Sequence, residues 1–147
     1  MAIRNIVRDG DPILRKTARS VLNFDEKLAT LIDDMLDTMY EANGVGLAGN
    51  QVGILRRVCV IDIGDGPIEL VNPVIEEEFG VQYESEGCLS FPGQSGVTKR
   101  PQNVTVRAQD RKGQSFTISG EGLLARAFCH EIDHLNGIVY KDRIVRK

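Results

Sequence analysis

The chain has 147 residues, with 18 Lys and Arg against 21 Asp and Glu, for a formal net charge of −3. At 41% hydrophobic and 27% charged it has the composition of a globular protein with enough apolar side chains to offset chain entropy, which argues against disorder. The mildly acidic balance argues against a nucleic-acid binder that works through bulk charge, and no run of ~20 apolar residues offers a membrane span. The start, Met1-Ala2-Ile3-Arg4-Asn5, lacks the basic-then-apolar layout of a secretory leader. Cys59, Cys88 and Cys129 are too few and too scattered for a disulfide framework, so a reducing, cytoplasmic setting is expected. No repeat and no Pro/Gly/Ser-rich linker divides the chain, and residues 1–147 are expected to form one domain.

In chain order, the first clear element is a helix from about Asp25 to Ala42. Leu28, Leu31, Ile32, Met35, Leu36 and Met39 form an apolar stripe of helical period, with Asp33, Asp34, Asp37 and Thr38 largely off it. Asn23 or Asp25 can cap its start, and Asn43-Gly44 ends it. The segment Gly44 to Gln51 is rich in glycine but lacks the Gly-Lys-Ser/Thr ending of a phosphate loop. It is either a plain helix-ending loop or one where glycines let a substrate approach the backbone, with Gln51 as a neutral donor. Strands are expected at Arg57–Ile63, at Ile68–Asn72 and over Val74–Tyr83, the last broken or bent at Gly80. Glu76-Glu77-Glu78 reads as a solvated face or turn. Asn103 to Ser119 reads as a hairpin turning at Asp110-Arg111-Lys112-Gly113. A second helix is expected from near Glu121 to Asn136-Gly137. It is apolar nearly all round and should therefore be buried, yet it carries two His, one Glu and one Asp.

Those two histidines are the only ones in the chain, and both lie in His130-Glu131-Ile132-Asp133-His134. Four positions apart on a helix, they share a face, so two imidazole nitrogens can reach one ion. Glu131 can then reach a water at that ion. Unpaired imidazoles in a buried helix would cost stability, which favours a ligated pair over two core histidines. A catalytic site of this kind takes three protein ligands, and Cys88 in Glu86-Gly87-Cys88-Leu89-Ser90 is the candidate for the third. Cys129 points off the metal-facing side, and Cys59 alternates within a strand; both read as small buried apolar residues. A Cys88 nucleophile with a histidine base is the alternative, but it leaves the second histidine and Glu131 without a role.

Three segments together resemble the peptide deformylases: Gly44–Gln51 is similar to a Gly-x-Gly-Leu-Ala-Ala-x-Gln loop, Glu86–Ser90 to Glu-Gly-Cys-Leu-Ser, and His130–His134 to His-Glu-x-x-His. Their order and spacing fit, and the resemblance covers essentially the whole chain. It implies an α+β fold in which antiparallel sheets pack around a central helix carrying the histidine motif. It implies a metal-dependent hydrolase that removes the formyl group from N-terminal formylmethionine of new polypeptides. Cys88, His130 and His134 are carried over as metal ligands, and Glu131 as general acid/base. Gln51 and the backbone N–H of Leu89 are carried over as donors to the developing oxyanion. The ion implied is Fe2+, with Zn2+ or Ni2+ in its place in some members. Gly44, Val45, Gly46, Leu124 and Ala127 are candidates for the methionine pocket. Glu86 is expected to brace a ligand or the backbone, and Asp133 to orient a ligand histidine or anchor the helix.

The expected partners are N-formylmethionyl peptides and, transiently, the ribosome; no membrane and no specific DNA are expected. Gly49 stands where the family usually has Ala, Cys129 where it often has Gln, and Ser95 where many members have Arg. The basic end (Lys141, Arg143, Arg146, Lys147) reads as solvated. The competing readings are an ordinary zinc protease, which would need Asp or Glu as its third ligand, and a metal-binding relative that is inactive or diverged in substrate.

Overall fold

The computed structural model describes residues 2–145; Met1 of the amino-terminal stretch and Arg146 and Lys147 of the basic end lie outside the described residues. Helix α1 spans Glu26–Glu41, and the Asp25 side chain caps it by accepting from the Leu28 amide at 3.1 Å. Asp34 and Thr38 lie off the apolar stripe but are buried all the same. The amino-terminal segment crosses them: the Ala2 amide and the Arg4 guanidinium donate to the Asp34 carboxylate, and the Arg4 amide donates to Thr38 Oγ1 at 2.9 Å. A strap of polar contacts covers these two positions off the stripe.

A five-stranded antiparallel sheet follows, in the order β1-β2-β3-β6-β7. Its strands are β1 Gly46–Ala48, β2 Val58–Ile61, β3 Ile68–Phe79, β6 Asn103–Gln109 and β7 Ser115–Glu121. Strand β2 is a continuous apolar run buried throughout, as expected of a strand covered on both faces. Val58 and Val60 pack with α1 residues Leu28, Leu31, Ile32, Met35 and Met39. Cys59 and Ile61 point the other way, into a cluster with Phe128, Ile132 and Leu135 of the second helix. The alternation of β2 thus divides the core into two layers.

Strand β3 is one bent strand of 12 residues, not the two segments expected. Asn72 bends it with a left-handed φ of 51°, and its side chain ties the strand to Val21 and Gln109. The register shifts between Val71 and Val74 and again between Ile75 and Glu77, so Glu76-Glu77-Glu78 is an exposed strand rather than a turn. A separate two-stranded antiparallel sheet pairs β4 (Gln82–Cys88) with β5 (Phe91–Arg100). The carboxy-terminal segment lies along it, the Val145 amide donating to the Val97 carbonyl at 2.9 Å.

Helix α2 spans Leu123–Leu135 and starts two residues later than expected. Glu121 is still in β7, paired with Asn103, and Gly122 turns the chain with a positive φ of 59°. From Ala125 onward α2 is nearly all buried, between the main sheet and the β4–β5 hairpin. The fold is α+β. Among the described residues no helix is long and apolar enough to cross a membrane.

Candidate metal centre

The site forms where α2 meets the end of β4. His130 and His134 lie one helical turn apart, with ring centroids 4.9 Å apart. Cys88 stands at an irregularity of the hairpin, where the register shifts after Glu86 and Cys88 pairs with Phe91. That kink carries its Sγ to 3.4 Å from His134 Nε2. One ligand atom from each of Cys88, His130 and His134 lies within 4.8 Å of the other two. Ligand atoms around a tetrahedral ion are roughly 3.4–3.8 Å apart, given bonds of 2.0–2.3 Å. The donor set, one thiol and two imidazoles, is one that zinc and ferrous ions accept.

His130 is oriented from behind. Its Nδ1 lies 2.7 Å from Glu86 Oε1, which leaves Nε2 for the site. Glu86 is itself buried and takes hydrogen bonds from Thr98 Oγ1, from Arg100 Nε at 3.0 Å and from a second Arg100 nitrogen at 2.8 Å. Burial raises its pKa, but the hydrogen bonds from His130, Arg100 and Thr98 outweigh this and hold it well below the usual carboxylate range. An ionised Glu86 favours a proton on Nδ1 of His130, the tautomer in which Nε2 could ligate an ion. Arg100 also reaches Asp133 at 2.7 Å, and Arg143 holds the same carboxylate through two contacts of 3.1 Å. Of the two roles expected for Asp133, its partners therefore match that of helix anchor: it touches arginines, not a histidine.

Glu131 is 4% exposed, and its Oε1 is buried without a partner among the described residues. Oε2 lies 4.0 Å from His130 Nε2. Burial pushes its pKa up to about 7, a value suited to taking and giving a proton near neutrality. Gly46 in β1 makes the space for it: a Cβ at Gly46 would stand 2.8 Å from the Glu131 carboxyl carbon. Gln51 is buried in a 3-10 turn, Gly49–Val52, that follows β1. Its Oε1 accepts from the Ala48 amide at 2.9 Å, which turns Nε2 to Ser90 Oγ at 3.1 Å and Cys88 Sγ at 3.4 Å.

Cys88, His130, Glu131 and Gln51 open onto a cavity of about 530 Å³ whose lining also includes Gly44, Val45, Gly46, Leu89 and Ala127, while His134 lies behind it, fully buried. Gly44 leaves room for the Leu89 side chain, which a Cβ there would meet at 2.5 Å. Leu124 does not join this wall. It turns to the core and packs over Gly120, and Leu123, 42% exposed, takes the pocket side instead. Gly49 has a structural reason of its own. A Cβ there would stand 2.7 Å from the carbonyl oxygens of Ile54 and Arg56, so the glycine marks tight packing. Cys59 is fully buried, and Cys129 is turned from the ligand atoms, its thiol pushed up to about 12 chiefly by burial.

Sequence reasoning missed Arg100, Ser90, Leu123 and Arg126. Arg100 had one available signal: a carboxylate buried behind a histidine needs a cation, and Lys99-Arg100 is the nearest pair of cations after Glu86 in the chain.

Fold and site together define a candidate metallohydrolase: a helix bearing two histidines and a carboxylate, completed by a thiol from a separate hairpin. A family model described as polypeptide deformylase matches residues 3–147. A peptide deformylase of Alkaliphilus metalliredigens is 57% identical over 147 residues, covering 100% of both chains. The crystal structure of peptide deformylase from Thermotoga maritima superposes with a TM-score of 0.97 at 43% identity, over 99% of this chain and 100% of that one. That of a peptide deformylase from Legionella pneumophila gives 0.95 at 50% identity, over 98% and 87%. The chain belongs to the polypeptide deformylase family.

Proposed function

We propose that this protein hydrolyses the formyl group from the amino terminus of N-formylmethionyl peptides, with Cys88, His130 and His134 as ligands of one divalent ion. The observation that carries the reading is a cluster of three ligand atoms, two of them from residues lining one cavity, together with a buried carboxylate and a buried amide donor that line the same cavity. Ferrous iron is the ion we assign, with zinc or nickel as substitutes, because thiolate and imidazole suit all three. When bound, such an ion polarises a carbonyl and acidifies water.

The protein's own groups do the rest. Glu131 takes a proton from the attacking water and gives it to the leaving amine. The C–N bond of the formamide breaks, oxygen from water joins the formyl carbon, and formate leaves beside a free amino terminus. Gln51 Nε2 and the Leu89 amide donate to the formyl oxygen as charge gathers on it; one such donor is worth ~100- to 1,000-fold in rate. Glu86 and Arg100 keep His130 in one tautomer. Gly44, Val45, Gly46, Ala127 and Leu123 shape the pocket for the methionine side chain. On this reading the substrates are new polypeptides in the cytoplasm, met during transient contact with the ribosome.

The test is formate release from formyl-Met-Ala by anaerobically purified, iron-loaded protein beside Glu131→Ala. We expect activity in the first and a loss of ~100- to 10,000-fold in the second, with one ion retained by each. No formate from the wild-type protein despite a bound ion would overturn the proposal.

A further inference from the structure

We infer that Arg126 selects for peptides with an acidic side chain one or two residues after the formylmethionine, an inference that rests on the deformylase reading above. Arg126 sits four residues before His130 on α2, hence about one turn, ~6 Å, along the same face. With Leu123, Ala127, His130 and Glu131 it lines the cavity, and it is the one Lys or Arg in that lining. The other charged residues there are Glu86, already held by Arg100, and Glu131, buried beneath Gly46.

The guanidinium is held in place by a neutral group. Arg126 donates to Gln82 Oε1 at 3.1 Å. Gln82 is buried, and its Nε2 donates to the carbonyls of Pro101 at 3.0 Å and Gly122 at 2.8 Å. Those two carbonyls fix the amide's orientation, so its oxygen can only face Arg126. One of five N–H donors is thereby used, and the head is positioned without losing its charge. Among the described residues its one side-chain hydrogen bond is this one, and no carboxylate lies within salt-bridge reach. A cation with free donors among the residues lining a substrate cavity is a receptor for a carboxylate. An extended peptide advances ~3.3 Å per residue, so the first two residues beyond formylmethionine are those whose side chains come within its reach.

The experiment uses iron-loaded enzyme and amidated tripeptides, so that no terminal carboxylate competes. The pairs are formyl-Met-Glu-Ala-amide with its Gln counterpart, and formyl-Met-Ala-Glu-amide with its Gln counterpart, assayed with wild type, Arg126→Gln and Arg126→Lys. We expect wild type to favour Glu over Gln in kcat/KM about three- to tenfold at one of the two positions, as a partly exposed ion pair allows. The preference should reside in KM, because the contact is equal in ground and transition states. It should shrink in 0.5 M salt, vanish in Arg126→Gln and survive in part in Arg126→Lys. A Glu/Gln ratio near one in wild type at both positions, or a ratio that Arg126→Gln leaves unmoved, overturns the inference while formate from the Gln peptides keeps the deformylase reading intact. Absence of formate from every peptide overturns that reading and this inference with it.

Discussion

Gly46 carries more of the chemistry than its missing side chain suggests. It stands directly against the Glu131 carboxyl, and a methyl group there would have to displace that carboxyl or the strand. Gly46→Ala should therefore lower kcat by about 100-fold, the scale of loss when a reacting group is moved by an ångström, while ion content stays at that of the wild type. Metal analysis beside steady-state kinetics checks it; near-normal kcat would show that Glu131 is not held where the reaction needs it. That His130 and His134 share a face was legible in the sequence from their spacing of one helical turn, and the structure brings Cys88 within 4.8 Å of them. Leu124 was misjudged because Leu123 and Leu124 look alike in composition, and only the packing of Gly120 decides which of them faces the core. Arg126 gave no signal, since a lone arginine on a helix reads as solvated.

At the scale of elements, the hairpin β4–β5 meets α2 through charge. Glu86 and Arg100 belong to the hairpin, Asp133 belongs to the helix, and all three carboxylate and guanidinium groups are largely out of water. Removing one partner of such a set leaves a buried charge uncompensated. Arg100→Met should cost about 3–5 kcal/mol in urea unfolding, and weaken ion binding ~10- to 100-fold because His130 loses its brace. Glu86 also sets an acid limit. Its folded-state pKa is depressed below the usual 4.5, so its contribution is fully present above about pH 4.5 and is lost as pH falls toward the folded value. Stability measured from pH 6 down to pH 3 should fall more steeply in wild type than in Glu86→Gln; equal slopes would mean that Glu86 titrates normally. Both helices and the β6–β7 hairpin could be read from apolar period and turn residues. Strand β5 could not: Phe91-Pro92-Gly93-Gln94-Ser95-Gly96 has no alternation, and it is a strand because β4 and the carboxy-terminal segment supply its partners. Strand β1 was hidden for a similar reason, its Gly46-Leu47-Ala48 being defined by pairing with β2.

For the whole molecule, the two sheets are not equivalent. The five-stranded sheet is covered by α1 and α2 and holds most of the buried apolar residues. The hairpin has mostly exposed positions and rests on one small cluster, Leu14, Phe91, Val139 and Tyr140, besides its charged contacts with α2. Cys88 comes from the hairpin, and the two histidines come from the helix packed on the main sheet. An ion held by all three would therefore tie the less buried unit to the more buried one. In hydrogen-exchange terms, the amides of β4 and β5 should open at a lower free energy than those of β2 in ion-free protein, and slow severalfold when the ion is restored. Rates in β2 should change less. Equal protection of β4 and β2 without the ion would refute this. With the ligands proposed above, a fluctuation that lifts this hairpin would also release the ion, and loss of activity on standing should then track the opening of one hairpin rather than global unfolding.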